Sequence, residues 1–245
     1  MNPIYDTLNE RQLEAVMHTE GPISVTAGAG SGKTKVITCR IARLLEIGTD
    51  PYRILAITFT NKAAKEMRER VQNLVGVAAE RIWLSTFHSF CAKLLRFEID
   101  GFLGYTKNFT IYDSSDQVTL MKSCLKELNL DDKQFPPRTV LGTVSSAKNA
   151  LLRADEFAKS ADDFYTLKVS EAYTLYEKKL KDNNAVDFDD LLLLAVKLLQ
   201  ERQDIREKYQ ERFRYILVDE YQDTNKAQYL LTQILAAKWR NICVV

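Results

Sequence analysis

The sequence predicts an α/β fold, in which a parallel sheet flanked by helices is interrupted by a mainly helical insertion. Short apolar strands alternate with helical patterns at both ends of the chain, as in parallel sheets. Between them, the stretch from 112 to about 210 carries mainly helical periodicity, broken at Pro136 and Pro137. The 245 residues, 46% apolar and 27% charged, suffice for one or two packed domains and exclude a disordered or collagen-like chain.

The charge, the apolar runs and the cysteines exclude several further classes of protein. The formal net charge of +1 gives no overall field that would attract nucleic acid or a membrane, so such partners must be recognised locally. The longest apolar run, 191–196, is far shorter than the ~20 residues that cross a bilayer, and the start of the chain lacks a secretion-signal pattern. The widely spaced cysteines indicate reduced, mostly buried thiols in a cytoplasmic protein; they are Cys39, Cys91, Cys124 and Cys243.

The first elements are a helix, a strand and a second helix. Thr7 is expected to cap a short amphipathic helix over 7–18, with Glu10 three residues on. A β-prone run at 23–26 then leads through a loop of small residues into a helix over 33–47. This order of strand, loop and helix is typical of phosphate-binding proteins.

The same alternation continues after the second helix. Strands are expected at 54–59, 82–85, 215–218 and 242–245, and helices at 62–74 and 226–237, while the strand at 82–85 leads into the segment 87–97. The chain thus ends on a strand, although ligand-binding loops follow the carboxyl ends of strands in an open parallel sheet. We therefore expect the chain to be a fragment of a larger protein, the alternative being a naturally short chain.

The loop of small residues fits the pattern G-x-x-x-x-G-K-[ST], except that alanine takes the first glycine position. Its members are Ala27, Gly28, Ala29, Gly30, Ser31, Gly32, Lys33 and Thr34. The glycines allow backbone N–H groups to converge on phosphate oxygens, Lys33 can reach the β and γ phosphates, and Thr34 can ligate Mg²⁺. The alternative, a flexible glycine turn, is disfavoured because the loop lies between a predicted strand and a predicted helix. The sequence therefore predicts a site for ATP and Mg²⁺.

Two adjacent carboxylates, Asp219 and Glu220, end the apolar strand at 215–218. Asp219 would hold Mg²⁺ through water, and Glu220 would accept a proton from the attacking water. The alternative is that both side chains cap the following helix. A glutamate beside the Mg²⁺-binding aspartate suits hydrolysis better than transfer to a substrate hydroxyl, so an ATPase is favoured over a kinase.

Two polar segments that contain aromatic rings, 58–64 and 85–90, follow the second and third strands of the predicted sheet. Hydroxyls and amides bond phosphates, and rings stack on bases without selecting a sequence, so this mixture is typical of single-strand binding. Residues 53–96 carry a surplus of five positive charges, whereas 113–190 carry a surplus of four negative charges. The basic charge therefore lies near the polar segments in the sequence.

Each of these residues also has a plainer interpretation. Phe87 and Phe90 are candidates for the core, and His88 for a buried, hydrogen-bonded imidazole. Gln12, whose amide matches the donor and acceptor of an adenine edge, is otherwise a surface glutamine. The segment 186–190 is first of all the start of a capped amphipathic helix, with Asp187 or Asp189 as the cap.

Taken together, seven segments in order resemble the motifs of superfamily 1 DNA helicases of the UvrD, Rep and PcrA type, most of all the PcrA type. They are Leu8 to Gln12, the phosphate loop, Thr58 to Ala64, Ser85 to Phe90, Ser146 to Asn149, Val186 to Asp190 and Val218 to Asn225. The resemblance implies a RecA-like P-loop ATPase domain, 1A, formed by 1–92 and 212–245. It also implies a helical insertion domain, 1B, formed by 93–211.

The resemblance also assigns roles to individual residues. It implies that Gln12 contacts adenine and that Gln222 senses the γ-phosphate. Gln222 would be catalytic together with Lys33, Asp219 and Glu220. It implies that a further set belongs to segments that line the path of single-stranded DNA. This set comprises Phe59, Thr60, Asn61, Lys62, Thr86, His88 and Phe188.

The function that the resemblance implies is that of a cytoplasmic, ATP-dependent 3′-5′ DNA helicase and translocase. Its partners would be single-stranded DNA, duplex junctions and accessory repair or replication proteins, with no membrane. A second RecA-like domain, which supplies arginines to the γ-phosphate, is expected to be missing here, so the fragment is expected to be nearly inactive. Two alternatives remain open: a subunit of a helicase-nuclease, and a module that binds nucleotide and nucleic acid without significant hydrolysis.

Overall fold

The computed structural model describes residues 3–28 and 30–245, which form two compact units. The sheet unit comprises the described residues up to 90 together with 202–224 and 229–245, and the helical unit comprises 91–201 and 225–228. The helical unit starts near the expected limit of the insertion, 93–211, but residues 202–211 fall in the sheet unit. The assignment of these units to domains 1A and 1B stays a prediction.

Within the described residues, seven strands form two parallel sheets. The strands are β1 (Ile23–Ser24), β2 (Ile54–Thr58), β3 (Trp83–Thr86), β4 (Thr110–Ile111), β5 (Ala185–Val186), β6 (Tyr215–Val218) and β7 (Ile242–Val244). The sheet unit holds five of them in the order β1-β7-β6-β2-β3, with Ile216 of β6 opposite Leu55 of β2 and Ile242 of β7. The two ends of the sequence therefore build one sheet. The predicted α/β class with a parallel sheet is confirmed.

Eleven α-helices accompany these strands in the same described residues. They are α1 (Glu10–Met17), α2 (Lys33–Glu46), α3 (Asn61–Val75), α4 (Phe87–Glu98), α5 (Ser114–Glu127), α6 (Pro137–Asn149), α7 (Ala154–Ala158), α8 (Phe164–Asp182), α9 (Phe188–Glu201), α10 (Gln203–Arg212) and α11 (Lys226–Ala236). In the sheet unit, Ile37 and Ile41 of α2 and Met67 of α3 are fully buried in one cluster with Ala56 of β2 and Leu217 of β6. Helices therefore cover the sheet, as its continuous apolar strands require.

The first helix begins later than the sequence predicts. Its cap is Asn9, whose side chain accepts a hydrogen bond from the backbone N–H of Gln12, while the Gln12 side chain accepts one from the N–H of Asn9. The Thr7 hydroxyl instead donates to the carbonyl of Ile4 at 2.9 Å, so the predicted cap at Thr7 is wrong. Asparagine is at least as good a cap as threonine, and the reciprocal pair fixes the helix start.

The first strand is shorter than the predicted 23–26. Val25 still donates its N–H to the carbonyl of Val244 at 2.9 Å, but the regular ladder covers only Ile23 and Ser24. The strand ends here and the phosphate loop follows, in which Gly30 and Gly32 have positive φ angles that a strand does not use. The loop therefore starts at the very edge of the sheet.

The helical unit contains a short pair of strands that the helical periodicity did not predict. β4 and β5 contribute two residues each, with Thr110 opposite Ala185. A strand of two residues is too short to show an alternating pattern. Around the pair, α5, α6 and α8 share a core in which Phe135, Tyr173 and Tyr176 are buried.

The four cysteines are buried free thiols, as the sequence predicts. Burial raises the pKa of Cys91 and of Cys243, so neither has the environment of a reactive thiolate. Among residues 3–28 and 30–245, no helix is both long and apolar enough to cross a bilayer.

Candidate functional site

The phosphate loop and the carboxylate strand meet at one edge of the sheet. The loop follows β1, and Asp219 follows β6, at the carboxyl ends of parallel strands. The hydroxyl of Thr34 donates to Oδ2 of Asp219 at 3.1 Å, although the two residues are 185 positions apart in the sequence. Asp219 is held there by its backbone N–H, which donates to the carbonyl of Ile57 at 2.9 Å. The two predicted Mg²⁺ ligands are therefore in direct contact.

The oxygen atoms of this pair fit a divalent cation. A hydroxyl and a carboxylate are the hard oxygen ligands that Mg²⁺ prefers, and Mg²⁺ is usually held by one or two carboxylates. Asp219 is only 3% exposed. Burial raises the pKa of Asp219, and the neighbouring Glu220 raises it further, while the Thr34 hydroxyl and Lys33 oppose the rise. A nearby cation would favour the charged carboxylate and so oppose this rise in the pKa of Asp219.

The phosphate loop is held by its own side chains and by α1. The ammonium of Lys33 donates to the carbonyl of Ala27 at 3.0 Å. Gly30 and Gly32 have φ values of +75° and +86°, which a residue with a Cβ adopts only with strain. Ala29, one of the predicted contacts to phosphate, lies outside the described residues.

Gln12 connects the loop to the first helix. Its Nε2 donates to the carbonyl of Ser31 at 2.9 Å, while its Oε1 accepts from the backbone of Asn9 at 3.0 Å. An amide has two donor hydrogens and two acceptor lone pairs, so the bonds of Gln12 to the described residues leave one of each for a ligand. The sequence did not predict this second role of Gln12 as a tether of the loop.

We expect Gly32→Ala to damage the loop and Gly28→Ala to be tolerated. A Cβ on Gly32 would lie 2.8 Å from Nε2 of Gln12 and would occupy a left-handed backbone conformation, whereas a Cβ on Gly28 meets nothing within 4 Å. A residue with a Cβ in the left-handed region costs about 1–2 kcal/mol. Thermal unfolding of the two variants measures this difference, and equal stability would contradict it.

Glu220 and Gln222 form a second contact within the predicted site. The Nε2 of Gln222 donates to Oε2 of Glu220 at 2.5 Å. Glu220 has a left-handed backbone with φ +52°, which is uncommon outside glycine and is typical of functional sites. Gln222 and Lys33 also line one cavity of about 420 Å³ at the ends of β1 and β7.

The alternative in which Asp219 and Glu220 cap the next helix is wrong. That role belongs to Asn225, whose side chain accepts from the N–H of Gln228 at 2.9 Å. Gln228 in turn accepts from the N–H of Asn225 at 3.0 Å. The two carboxylates are therefore not needed to start α11.

The aromatic rings near the polar segments divide into core and surface. Phe87 and Phe90 are 1% and 0% exposed, so the plainer interpretation holds for them and their rings cannot stack on bases. Phe59 is half-buried and lies edge-on to Phe87, with ring centroids 5.5 Å apart. His88 is half-buried as well. Phe59 and His88 remain accessible enough to contact a ligand.

The other predicted DNA contacts of the sheet unit lie at helix starts. Thr60 caps α3 by accepting from the N–H of Ala63, and the buried Thr86 accepts from the N–H of Ser89. Asn61 and Lys62, in the first turn of α3, are exposed. The residues that directly follow Phe59 in the sequence are therefore two polar side chains and a cation.

In the helical unit, the start of α9 is fixed by a buried cluster of charges. Lys148 Nζ lies 2.7 Å from Oδ2 of Asp187 and 2.7 Å from Oδ1 of Asp190. Asp187 and Asp190 also cap each other's backbone N–H groups, and Tyr176 donates its hydroxyl to Asp187 at 3.1 Å. Of the two caps considered, Asp187 is therefore the correct one. Phe188, the next residue, is 52% exposed.

A second set of hydrogen bonds continues from this cluster. Asn149, beside Lys148, donates to Oδ1 of Asp189 at 3.0 Å and accepts from Nδ2 of Asn225 at 2.5 Å. The sequence singled out these three segments, but only as parts of a family pattern. Their mutual contacts are a finding of the structure.

Comparison with known proteins identifies the family. The model of the UvrD/REP helicase N-terminal domain matches residues 8–245. The chain belongs to the UvrD/REP helicase family.

Relatives in that family are similar over the whole chain. The chain is 52% identical to the ATP-dependent DNA helicase PcrA of Bacillus subtilis strain 168 over 245 residues, which is all of this chain and 33% of that protein. It is 50% identical to the proteins of the same name from Staphylococcus aureus strain Mu50 and Staphylococcus epidermidis over 246 residues, covering 34% of each. The chain thus spans about a third of the length of these UvrD/REP relatives, and its resemblance to PcrA is confirmed.

Within the UvrD/REP N-terminal domain, three residues of the motif segments position other residues, a role that the sequence did not predict. Asn9, Lys148 and Asn149 have no chemistry of their own in the proposed site. Each orients a segment that does: Asn9 holds Gln12, and Lys148 and Asn149 hold the turn that carries Phe188. A lysine followed by asparagine gives no local signal of burial, because the partner carboxylates lie about 40 positions away.

Proposed function

We propose that this chain binds ATP with Mg²⁺ at the phosphate loop and single-stranded DNA at other loops, as the N-terminal part of an ATP-dependent 3′-5′ DNA helicase. The observation that carries the proposal is the 3.1 Å contact between Thr34 and Asp219. It brings together, from opposite ends of the chain, two segments that would form the two halves of an ATPase site. The names of the relatives, ATP-dependent DNA helicases, support the same proposal.

The residues of the loop would hold the nucleotide. Lys33 would exchange its bond to the Ala27 carbonyl for bonds to phosphate oxygens, and the N-terminal end of α2 would add its positive dipole. Thr34 and Asp219 would hold Mg²⁺, which neutralises phosphate charge when bound. Gln12 would contact adenine with the donor and acceptor that its tether leaves unused.

Glu220 would accept the proton of the attacking water. Its hydrogen bond from Gln222 orients the carboxylate, and its left-handed backbone fixes the direction in which it leaves the strand. A carboxylate held in this way is ready to act as a general base. Gln222 would contact both this base and the γ-phosphate, so that the position of Glu220 responds to the nucleotide.

DNA would bind where polar groups and accessible rings follow the strands. Phe59 and His88 would stack on bases, while Thr60, Asn61 and Lys62 would bond phosphates. Lys62 is exposed and makes no ion pair within the described residues, so its charge is available. Thr86 would act indirectly, because its buried hydroxyl already caps the turn that carries His88. Phe188 would offer a further ring from the helical unit.

We expect Phe59→Ala and His88→Ala to weaken binding of a fluorescent oligothymidylate by the 245-residue chain. Each lost stacking contact costs about 1–3 kcal/mol, with little dependence on base sequence. Fluorescence anisotropy measures the affinity. Tyr229→Ala and His18→Ala are matched controls, because Tyr229 is exposed on α11 and His18 ends α1. If all four variants bind as the parent does, the proposed DNA contacts are wrong.

The proposal includes properties of the whole protein. A second RecA-like domain would supply arginines to the γ-phosphate, so a polypeptide of only these 245 residues is proposed to be nearly inactive. The full-length protein would act on single-stranded DNA and duplex junctions, in the cytoplasm, with accessory repair or replication proteins. DNA-stimulated ATP hydrolysis distinguishes this function from that of a module which only binds.

A further inference from the structure

Three polar side chains of the helical unit are joined by hydrogen bonds in a row. Nδ2 of Asn225 donates to Oδ1 of Asn149 at 2.5 Å, and Nδ2 of Asn149 donates to Oδ1 of Asp189 at 3.0 Å. The first bond spans 76 positions of the sequence and the second spans 40, and all three residues belong to the helical unit. We call this row of bonds the Asn149 bridge.

The bonds of the Asn149 bridge are additional to those that cap the neighbouring helices. α11 is capped by Oδ1 of Asn225, which accepts from the N–H of Gln228 at 2.9 Å. A helix start presents N–H donors, so the Nδ2 donor of Asn225 has no capping function. α9 is capped by Asp187, which accepts from the N–H of Asp190 at 2.9 Å. The bridge therefore does more than start these helices: it joins the start of α11 to the start of α9 through the end of α6.

One end of the bridge is connected to the proposed general base by a short turn. Asn225 follows Glu220 by five residues. Within that turn, the N–H of Asp223 donates to the carbonyl of Glu220 at 3.0 Å. The N–H and the hydroxyl of Thr224 both donate to the carbonyl of Tyr221, at 3.1 and 2.8 Å. A turn closed by such bonds is stiffer than an open loop, so a displacement of Asn225 is passed along the backbone to Glu220.

The other end of the bridge lies beside the proposed DNA contact of the helical unit. Asp189 directly follows Phe188, which is 52% exposed in the first turn of α9. On the other side of Phe188, Asp187 is held at 2.7 Å by the ammonium of Lys148, the residue before Asn149. The end of α6 thus holds the chain on both sides of Phe188. A ligand that moves Phe188 therefore acts on a residue of the bridge.

We propose that Asn149 and Asn225 are positioning residues, through which single-stranded DNA at the start of α9 adjusts the position of Glu220 and so raises ATP turnover. The inference rests on the proposed function and deepens it, because it names the side chains that connect the two ligands. Asn149 acts through Asp189, and Asn225 acts through the turn that begins at Glu220. Breaking a hydrogen-bond network of this kind changes the coupling between two ligands about 2- to 30-fold.

The test exchanges the two ends of the bridge in the full-length protein. Asn225→Asp keeps an acceptor for the N–H of Gln228 but loses the donor to Asn149, so it breaks the bridge. Asp189→Asn keeps an acceptor for Asn149. When both substitutions are combined, the Asn149 amide can turn over, accept from position 189 and donate to position 225. Both bonds of the bridge are then restored in the opposite direction.

The measurement is ATP turnover at saturating oligothymidylate, beside turnover without DNA and oligothymidylate affinity without nucleotide. We expect Asn225→Asp and Asn149→Ala to lower the DNA-stimulated turnover about 2- to 30-fold, while the other two quantities stay within about 2-fold of the parent. We expect Asp189→Asn to match the parent and the double variant to recover its stimulation. Asn108→Asp is the matched control, since it adds the same charge to an exposed asparagine of the helical unit.

Several results would overturn the proposal. Parent-like stimulation in Asn225→Asp and Asn149→Ala would do so, and a lower unfolding temperature in these variants would then leave the bridge a structural role only. A loss in Asn225→Asp that the double variant does not repair would assign the effect to the new carboxylate instead. If the parent is stimulated by DNA and the bridge variants match it, this inference fails and the proposed function stands. If DNA does not stimulate the parent, both fail.

Discussion

Replacing Lys148 with methionine is expected to reduce the free energy of unfolding by about 3–5 kcal/mol. The Lys148 side chain is fully buried between two carboxylates, those of Asp187 and Asp190. Although burial lowers the pKa of Lys148, the carboxylates outweigh it and raise that pKa, so the ammonium stays charged. Methionine fills a similar volume but leaves two buried carboxylates without a cation. Urea unfolding of the 245-residue chain measures the loss.

The loss of unfolding free energy in Lys148→Met is expected to depend on pH. Burial and the Asp187 carboxylate raise the pKa of Asp190, while Lys148 opposes the rise. Without the ammonium that pKa rises further, so the folded variant retains a proton that the unfolded chain releases above about pH 4. The cost of Lys148→Met is therefore largest near neutral pH and shrinks as the pH falls.

The exposed Lys126 provides the control for this experiment. Lys126→Met should change stability by no more than about 0.5 kcal/mol, because it is a surface substitution without a buried partner. A loss for Lys148→Met as small as this, or one that grows on acidification, would contradict the role of the buried cluster.

Glu220→Gln in the full-length protein is expected to lower ATP turnover by about 10²- to 10⁴-fold while nucleotide binding is kept. Glutamine has the shape of glutamate but cannot accept the proton of the attacking water. DNA-stimulated hydrolysis gives the turnover number, and binding of a fluorescent ATP analogue gives the affinity. Asp223→Asn is the matched control, a nearby exposed carboxylate on the same turn. Unchanged turnover in Glu220→Gln would remove Glu220 from the role of base.

The residues of the proposed nucleotide site could be picked out from the sequence because most of them are adjacent to one another. The glycines of the loop, Lys33 and Thr34 are consecutive, and Asp219 ends an apolar strand. Parallel strands put their carboxyl ends at one edge, so the contact between Thr34 and Asp219 followed from the predicted fold. The left-handed backbone of Glu220 did not follow, since a non-glycine residue in that region gives no sequence signal.

The exposure of the aromatic rings in the polar segments was harder to predict, because composition does not separate core rings from surface rings. Phe59 and Phe87 have the same side chain and touch each other, yet one is half-buried and the other is in the core. Which ring points inward depends on the register of each strand and helix against the sheet. The burial of Lys148 depends in the same way on partners that only the folded chain brings near it.

Binding of a fluorescent ATP analogue with Mg²⁺ by the 245-residue chain tests directly whether the phosphate loop holds a nucleotide. Lys33→Ala should weaken binding about 10- to 150-fold, because hydrogen bonds to charged groups contribute about 1.5–3 kcal/mol. Lys35→Ala is the matched control, since Lys35 lies on the same helix and its ammonium bonds to the Thr7 carbonyl at 2.7 Å. We expect Mg²⁺-dependent binding that is weakened in Lys33→Ala, with the unfolding temperature unchanged, and kept in Lys35→Ala. Equal affinity in the parent and in Lys33→Ala would contradict it.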